Sequence, residues 1–238
     1  MTEFSASVSV SVPVSVPVSV PDIPLPFTPE DKHALRKALN IFVLDKERAI
    51  ARYGNIDTWV TTNVTDMSYL FTGLERQYTF NNRDDIISNW DTSNVTNMSG
   101  LFTAAHGFNQ PLYWNTSKVE NMSHLFSQCE FFNQLLEWDT SKVKNMKNMF
   151  FYCLRFDMPL HFSDLSNVEN MDNMFTFCRC LTQNYSHWVI PNVVNYDPRE
   201  MFRDTPNLYK ETRWPSLTKK PETFKSLIQF FVERNVGR

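Results

Sequence analysis

The sequence predicts a repeat solenoid, in which copies of one 24–25-residue unit stack on each other between a helical cap at either end. Three observations lead to this fold class. A tryptophan-to-phenylalanine phrase recurs, its valines are evenly spaced, and helix signals flank the repeats. The predicted organisation is an extended arm over 1–27, an N-terminal helical cap over 28–55, six to seven repeats over 56–217 and a C-terminal capping helix over 218–238.

The repeated phrase is W-D-T-S-x-V-x-N-M-x-x-L/M-F, and we call its last residue the closing Phe of the repeat. Six copies are recognisable by a valine in the same slot, at Val64, Val95, Val119, Val143, Val168 and Val193. Three departures from the pattern stand out. An insertion of about Glu75 to Ser88 follows the first copy, the fifth copy lacks the tryptophan, and the sixth replaces the methionine by Tyr196.

Each copy predicts a strand, a turn and a short helix. Met122, Leu125 and Phe126 have the i, i+3, i+4 spacing of one apolar helical face. The segment Phe108 to Trp114 is aromatic and fits a short strand, and the D-T-S that follows has turn chemistry. Because one such unit is too small to bury a core, the Trp and closing Phe side chains are expected to point inward and stack on their copies.

Helix signals on both sides of the repeats predict covers for the apolar ends of the stack. Thr28 is the predicted N-cap of a first helix with Pro29 in its first position. A second short helix is predicted from Asp45 to Tyr53, with Gly54 as its stop. At the other end, Pro221 opens a segment with helical apolar spacing, which is the expected C-terminal cap.

The phrase W-D-T-S-x-V-x-N-M-x-x-M/L-F followed by F-N-Q-P-L resembles the BspA-like leucine-rich repeats, also described as the mycoplasma-type lipoprotein surface repeat. The lead-in Arg52 to Asp57 also looks like the segment that precedes the first repeat in that family. The resemblance covers about 40–217. It implies a right-handed, leucine-rich-repeat-like solenoid used for binding or building, in a family found on bacterial surfaces, in protists and algae, and in large DNA viruses. It implies no activity.

Composition and motifs argue against an enzyme. The net charge of −3 gives no basic face for nucleic acid. Phosphate-binding, dinucleotide and hydrolase motifs are absent, and the five histidines share no slot, so we predict no catalytic, cofactor-binding or metal-binding residues and no small-molecule substrate. Cys129, Cys153 and Cys178 share one slot and are expected to be buried, reduced and free of metal.

The asparagines two residues after each valine form a second column: Asn97, Asn121, Asn145, Asn170 and Asn195. We expect them to be a buried ladder that satisfies backbone groups of successive repeats. Some of them also create glycosylation-like sequons, but their recurrence with the fold favours a structural role.

The arm gives the sharpest functional signal. From Ser7 to Val20, every even position is valine and every odd position is serine or proline. In an extended strand, alternate N–H groups face the same edge, so Pro13 and Pro17 block one edge and leave the other able to pair. The predicted partner-binding residues are Val8, Val10, Val12, Val14, Val16, Val18 and Val20. A polyproline-like linker is the alternative for the isolated chain.

These observations predict a non-enzymatic structural or scaffolding protein, which binds protein partners in a multi-subunit assembly through its arm and solenoid body. Its sharpest form is a minor capsid component of a large DNA virus. The alternative is a surface recognition module that binds a protein or glycan ligand. The sequence has no apolar run of membrane-spanning length and no secretory signal pattern, so we expect an intracellular protein or a virion component.

Overall fold

The structure is a computed structural model that describes residues 25–74, 86–193 and 197–206. In these ranges the helices are α1 (Lys32–Leu44), α2 (Lys46–Tyr53), a 3-10 helix (Ile56–Thr58) and α3 (Pro198–Met201). The rest is turns and irregular segments around a large aromatic core. The predicted C-terminal capping helix and most of the arm lie outside the described residues.

The first helix begins three residues later than its sequence signals suggest. Asp31 is the N-cap of α1, and its Oδ1 accepts a hydrogen bond of 2.8 Å from the Ala34 N–H. The predicted N-cap, Thr28, is wrong, because its hydroxyl donates to the Pro26 carbonyl instead. The second helix is confirmed, with its N-cap at Asp45 and a left-handed Gly54 (φ 73°) after its last residue.

The helical turn predicted inside each repeat is wrong: its place is taken by two consecutive β-turns. In the third repeat, the Leu125 N–H donates to the Met122 carbonyl and the Cys129 N–H to the Phe126 carbonyl, each three residues back. His124 and Gln128 have left-handed backbones, with φ of 58° and 63°. A left-handed residue at every fourth position stops an α-helix from forming. The apolar spacing is nevertheless helix-like, because a β-turn also returns the chain to the same face.

The alternate N–H groups of this double turn bond to the next repeat. Met122, His124 and Phe126 donate to the carbonyls of Asn145, Lys147 and Met149 over 2.8–2.9 Å. The same pattern joins the other repeats, and isolated parallel bridges run through Asp66, Asn97, Asn121, Asn145 and Asn170. Within the double turns these N–H groups therefore point toward the C-terminal neighbour. Just before each double turn the direction is reversed, since Glu120 and Lys144 donate to the carbonyls of Thr96 and Glu120 in the preceding repeat.

The strand predicted for the segment after each closing Phe is also wrong. In the described ranges no strand forms, and the segment contributes one isolated bridge, Leu136 to Leu160. Side chains replace much of the backbone pairing here. The Asn109 Oδ1 accepts from the Asn133 N–H, and the Asn133 Oδ1 accepts from the Asp157 N–H, both at 2.9 Å.

The core is built from aromatic columns that run through the repeats. Neighbouring closing Phe rings have centroids 5.0–5.6 Å apart and planes within 19° of parallel, through Phe71, Phe102, Phe126, Phe150, Phe175 and Phe202. A second column stacks Phe108, Phe132 and Phe156 at 6.1 Å. Trp90, Trp114 and Trp138 are buried, which confirms the predicted inward slots.

Helix α1 covers the open carbonyl edge of the first repeat. The Arg36 guanidinium donates to the carbonyls of Leu70 and Thr72, and the Lys32 ammonium lies 2.6 Å from the Asp66 carboxylate. The equivalents of the Leu70 carbonyl, those of Leu101, Leu125 and Met149, accept hydrogen bonds from the preceding repeat. Two cationic side chains thus take the place of a preceding repeat.

We expect Phe126→Ala to lower the free energy of unfolding by roughly 3–5 kcal/mol, because the ring is fully buried between Phe102 and Phe150 and leaves a cavity. Tyr113→Ala is the matched control, since its ring is 78% exposed. Urea unfolding followed by circular dichroism measures both. Equal losses for the two variants would contradict the inward register.

We expect Arg36→Met to lower the free energy of unfolding by about 1.5–3 kcal/mol, because two carbonyls at the edge of the first repeat lose a charged donor. Lys37→Met removes the same charge from an exposed position of the same helix and serves as the control. If both variants unfold at the same urea concentration, α1 does not cover the ladder through Arg36.

Candidate functional site

The tryptophans form a column whose indole groups tie each repeat to the one before it. The Nε1 of Trp90, Trp114 and Trp138 donates to the carbonyls of Ile56, Ile87 and Leu112 at 2.9, 3.0 and 3.3 Å. Trp59 does the same to the carbonyl of Gly54 at 3.2 Å. Each of these indoles therefore has a backbone carbonyl as its partner, as buried indoles usually do.

The column is interrupted between the fourth and sixth repeats. Counted from the preceding closing Phe, Phe162 occupies the slot of Trp114 and Trp138, and Ser163 is an additional residue after it. The Phe162 ring is only partly buried and stacks on Trp188, with centroids 5.7 Å apart and planes 20° from parallel. Because phenylalanine is smaller than tryptophan and carries no N–H, it neither fills the slot nor bonds to the repeat before it.

A cleft of about 420 Å³ lies at this interruption. Residues of 159–165 form one side and residues of 183–189 the other. Its apolar surface comes from Pro159, Phe162 and Val189, the last being 52% exposed. The one carboxylate in its lining, on Asp164, already accepts hydrogen bonds from the N–H and hydroxyl of Ser166. This size lies within the range of ligand-binding pockets.

Trp188 leaves one polar group of the cleft unpartnered. Its side chain is 4% exposed and lines the cleft, yet its indole N–H has no hydrogen-bond acceptor among the residues that the structure describes. This nitrogen is also not fully buried. In the described chain, the only fully buried side-chain nitrogen or oxygen without a hydrogen-bond partner is the hydroxyl oxygen of Tyr185. The cleft thus offers apolar surface together with several polar groups, namely this indole N–H and the side chains of His161, Asn184 and His187.

Tyr185 closes the floor of the cleft. It occupies the slot of Leu112, Leu136 and Leu160, and its ring stacks on Phe175 with centroids 5.0 Å apart. In the fourth repeat this space is filled by Phe156. The fifth repeat has the smaller Leu181 in the slot of Phe156, and the Tyr185 ring occupies the remaining space. Burial raises the pKa of the Tyr185 hydroxyl well above its usual value, so it stays protonated.

The cysteine column is buried, and the thiols are free, as predicted. The Sγ of Cys129, Cys153 and Cys178 donates to the carbonyls of Phe102, Phe126 and Phe150 at 3.0–3.1 Å. Burial raises the pKa of the Cys153 and Cys178 thiols above the usual value. Such thiols are poor nucleophiles, so the column contributes packing and hydrogen bonds.

The asparagine column predicted as a buried ladder has a different role. Asn97, Asn121, Asn145 and Asn170 are half-buried, and each Oδ1 accepts the N–H two residues later in its own repeat. The side-chain ladder between repeats is the column Asn109, Asn133 and Asp157, which the sequence reading missed. In the sequence, this column could have been found from the recurring F-N-Q, whose Phe lies six residues after the closing Phe.

None of the predicted binding residues can be compared with this cleft. The arm valines, from Val8 to Val20, lie outside the described residues. Over 25–74, 86–193 and 197–206, no three His, Cys, Asp or Glu side chains are grouped as metal ligands would be. No helix in those ranges has the length and apolar character needed to cross a membrane.

One family model matches the chain twice, over 41–137 and over 112–214, and together these ranges cover most of its length. The family is described as "Mycoplasma protein of unknown function, DUF285". No curated protein and no solved structure is similar enough to the chain to be matched.

We expect iodoacetamide to modify the native protein at Cys180 alone, because Cys180 is exposed and the other three thiols are buried. Mass spectrometry should show one adduct on the native chain and four adducts after unfolding in urea. Cys180→Ser should abolish the native adduct. More than one adduct on the native chain would contradict the buried column.

The raised pKa values also predict how stability depends on pH. Because the buried thiols of Cys153 and Cys178 stay protonated in the folded state, they favour folding below the pKa of an unfolded cysteine, about 8.5. The free energy of unfolding should fall as the pH rises above that value. Cys153→Ala combined with Cys178→Ala should flatten this part of the profile in urea titrations.

Proposed function

This chain belongs to the BspA-like, mycoplasma-type repeat family DUF285, and on that premise we propose that it is a non-enzymatic structural protein, which binds protein partners in a larger assembly. Its sharpest form is a minor capsid component of a large DNA virus, which would lie inside the cell or in the virion. The observation that carries the proposal is the strict alternation of valine with serine or proline in the arm.

The alternation gives the arm one edge for pairing. Val14 and its even-numbered neighbours keep their N–H groups, whereas Pro13, Pro17 and Pro21 lack them. An extended segment of this kind adds to the open edge of a partner's sheet, and its proline edge stops a further strand from adding. The arm therefore suits a one-to-one contact within an assembly.

The described start of the chain supports a firm link between the arm and the repeats. Phe27 packs against Tyr53 and Trp59, with ring centroids 4.5 and 5.2 Å away. Its carbonyl accepts a hydrogen bond of 2.9 Å from the Val60 N–H. Phe27, the last residue of the predicted arm, is thus fixed to the start of the repeats.

Contacts made by the repeats must add to the binding free energy that the arm contributes. Burying a valine is worth roughly 1.5 kcal/mol, and fixing one backbone residue costs about 1–2 kcal/mol, so the arm alone binds weakly. The repeats offer exposed apolar side chains for a second contact, among them Tyr113 (78% exposed) and Leu135 (45%). Exposed aromatic and aliphatic side chains of this size are typical of protein interfaces.

The hydrogen-bond ladder and the aromatic columns support a solenoid as the shape of the body, built here from turns. Such a body also fits the second candidate function, a surface recognition module for a protein or glycan ligand. The cleft beside Phe162 favours that candidate, because it combines an aromatic face with an open indole donor. Ligand binding by the repeats without the arm would distinguish it from the first.

We expect deletion of 1–24 to leave a folded protein that no longer enters its assembly, since Phe27 and its contacts remain. Val14→Pro should weaken incorporation more than Ser15→Pro, because only the first change removes an N–H from the pairing edge. Co-sedimentation with the assembly isolated from the source organism measures both. Equal incorporation of the two proline variants would overturn the proposal.

A further inference from the structure

We propose that the cleft between Phe162 and Val189 binds the valine–proline arm of the same chain, through residues 8–16, when the protein is free of its assembly. The inference rests on the proposed function only in taking the arm to be an extended ligand segment. The site and its occupant are argued from the broken tryptophan column, the open indole donor and the composition and reach of the arm.

The open donor specifies the chemistry of the occupant. Four indoles of the column each donate to a backbone carbonyl, at 2.9–3.3 Å. Trp188 has the same burial but no acceptor in the described chain, where Phe162 has displaced the regular packing. A backbone carbonyl of an extended peptide would restore the bond that the repeat pattern makes elsewhere.

The walls of the cleft fit the side chains of the arm. Pro159, Phe162 and Val189 present apolar surface, and aromatic-lined grooves of this kind bind proline-containing extended segments. The arm has no charged residue from Phe4 to Pro21, so no charge loses its hydration when the segment is buried. Its prolines also restrict the free chain, which lowers the entropy lost on binding.

The arm also has the reach. The described chain begins at Leu25, beside the first repeat, where Phe27 packs on Trp59 at the start of the same tryptophan column. With a spacing of about 5 Å per repeat, the cleft is roughly 25 Å further along, a distance that the eight residues of 17–24 span when extended (about 26 Å), so residues 8–16 reach the cleft. A tether of this length gives millimolar effective concentrations, which favours the chain's own arm over a second copy.

Indole NMR of the full chain tests the proposal. The protein is labelled with ¹⁵N at its tryptophan indoles, and Trp188→Phe assigns the signal of Trp188. If the arm occupies the cleft nine-tenths of the time, the Trp188 N–H exchanges with solvent about tenfold more slowly than in a variant whose arm is displaced. The signal of Trp114, which is bonded to Ile87, serves as the internal control.

The displaced variant carries Val12→Asp, Val14→Asp and Val16→Asp, and the matched control carries Ser9→Asp, Ser11→Asp and Ser15→Asp, with the same added charge. Exchange at Trp188 should accelerate about tenfold in the first and much less in the second. A synthetic peptide of residues 7–21, added at millimolar concentration to the displaced variant, should slow the exchange again.

Equal exchange in the unmodified chain and the valine variant would overturn the inference, as would equal acceleration by the serine variant or no effect of the peptide. Exchange that slows with rising protein concentration would assign the cleft to the arm of a second copy and overturn the assignment to the same chain. If the proline variants fail to alter incorporation while Trp188 responds as expected, the proposed function fails and this inference stands.

Discussion

The hydrogen bonds between successive double turns are the interaction on which the rest of the structure depends. In each double turn, alternate N–H groups donate hydrogen bonds to carbonyls of the next repeat. Only the intervening N–H groups close turns within their own repeat. This division requires a left-handed residue at every fourth position. Side chains are tolerated at these positions, since Tyr69, His124 and Asn148 share the slot and the left-handed backbone of Gly100.

The fixed register that this ladder imposes places equivalent side chains directly above one another. Buried donors use that register to satisfy carbonyls of neighbouring repeats, as the Thr116 hydroxyl does with the Asp139 carbonyl at 2.8 Å and the Cys129 thiol with the Phe102 carbonyl at 3.1 Å. Only one buried side-chain polar atom in the described residues lacks a partner, the hydroxyl of Tyr185. Small polar side chains therefore stabilise the stack alongside the aromatic rings.

The fifth repeat shows how the stack accommodates a change of column. Phe162 stands in a tryptophan slot and Leu181 in a phenylalanine slot, and Tyr185 extends into the core where a leucine is usual. The core remains continuous through Phe175, but the tryptophan column does not, and a cleft remains at the surface. In the described residues, this cleft thus lies where the tryptophan column is interrupted.

The sequence by itself determined the register of the described repeats and their buried aromatic and cysteine slots, because Trp114, Phe126 and Cys129 recur at intervals that only stacked copies explain. It could not distinguish a helical turn from a double β-turn, since both put Met122, Leu125 and Phe126 on one face. It also showed the missing tryptophan of the fifth repeat without showing the cleft. Tertiary structure decided the type of turn and the presence of the cleft. The acceptors of alternate N–H groups, and the space beside Phe162, both depend on the neighbouring repeats.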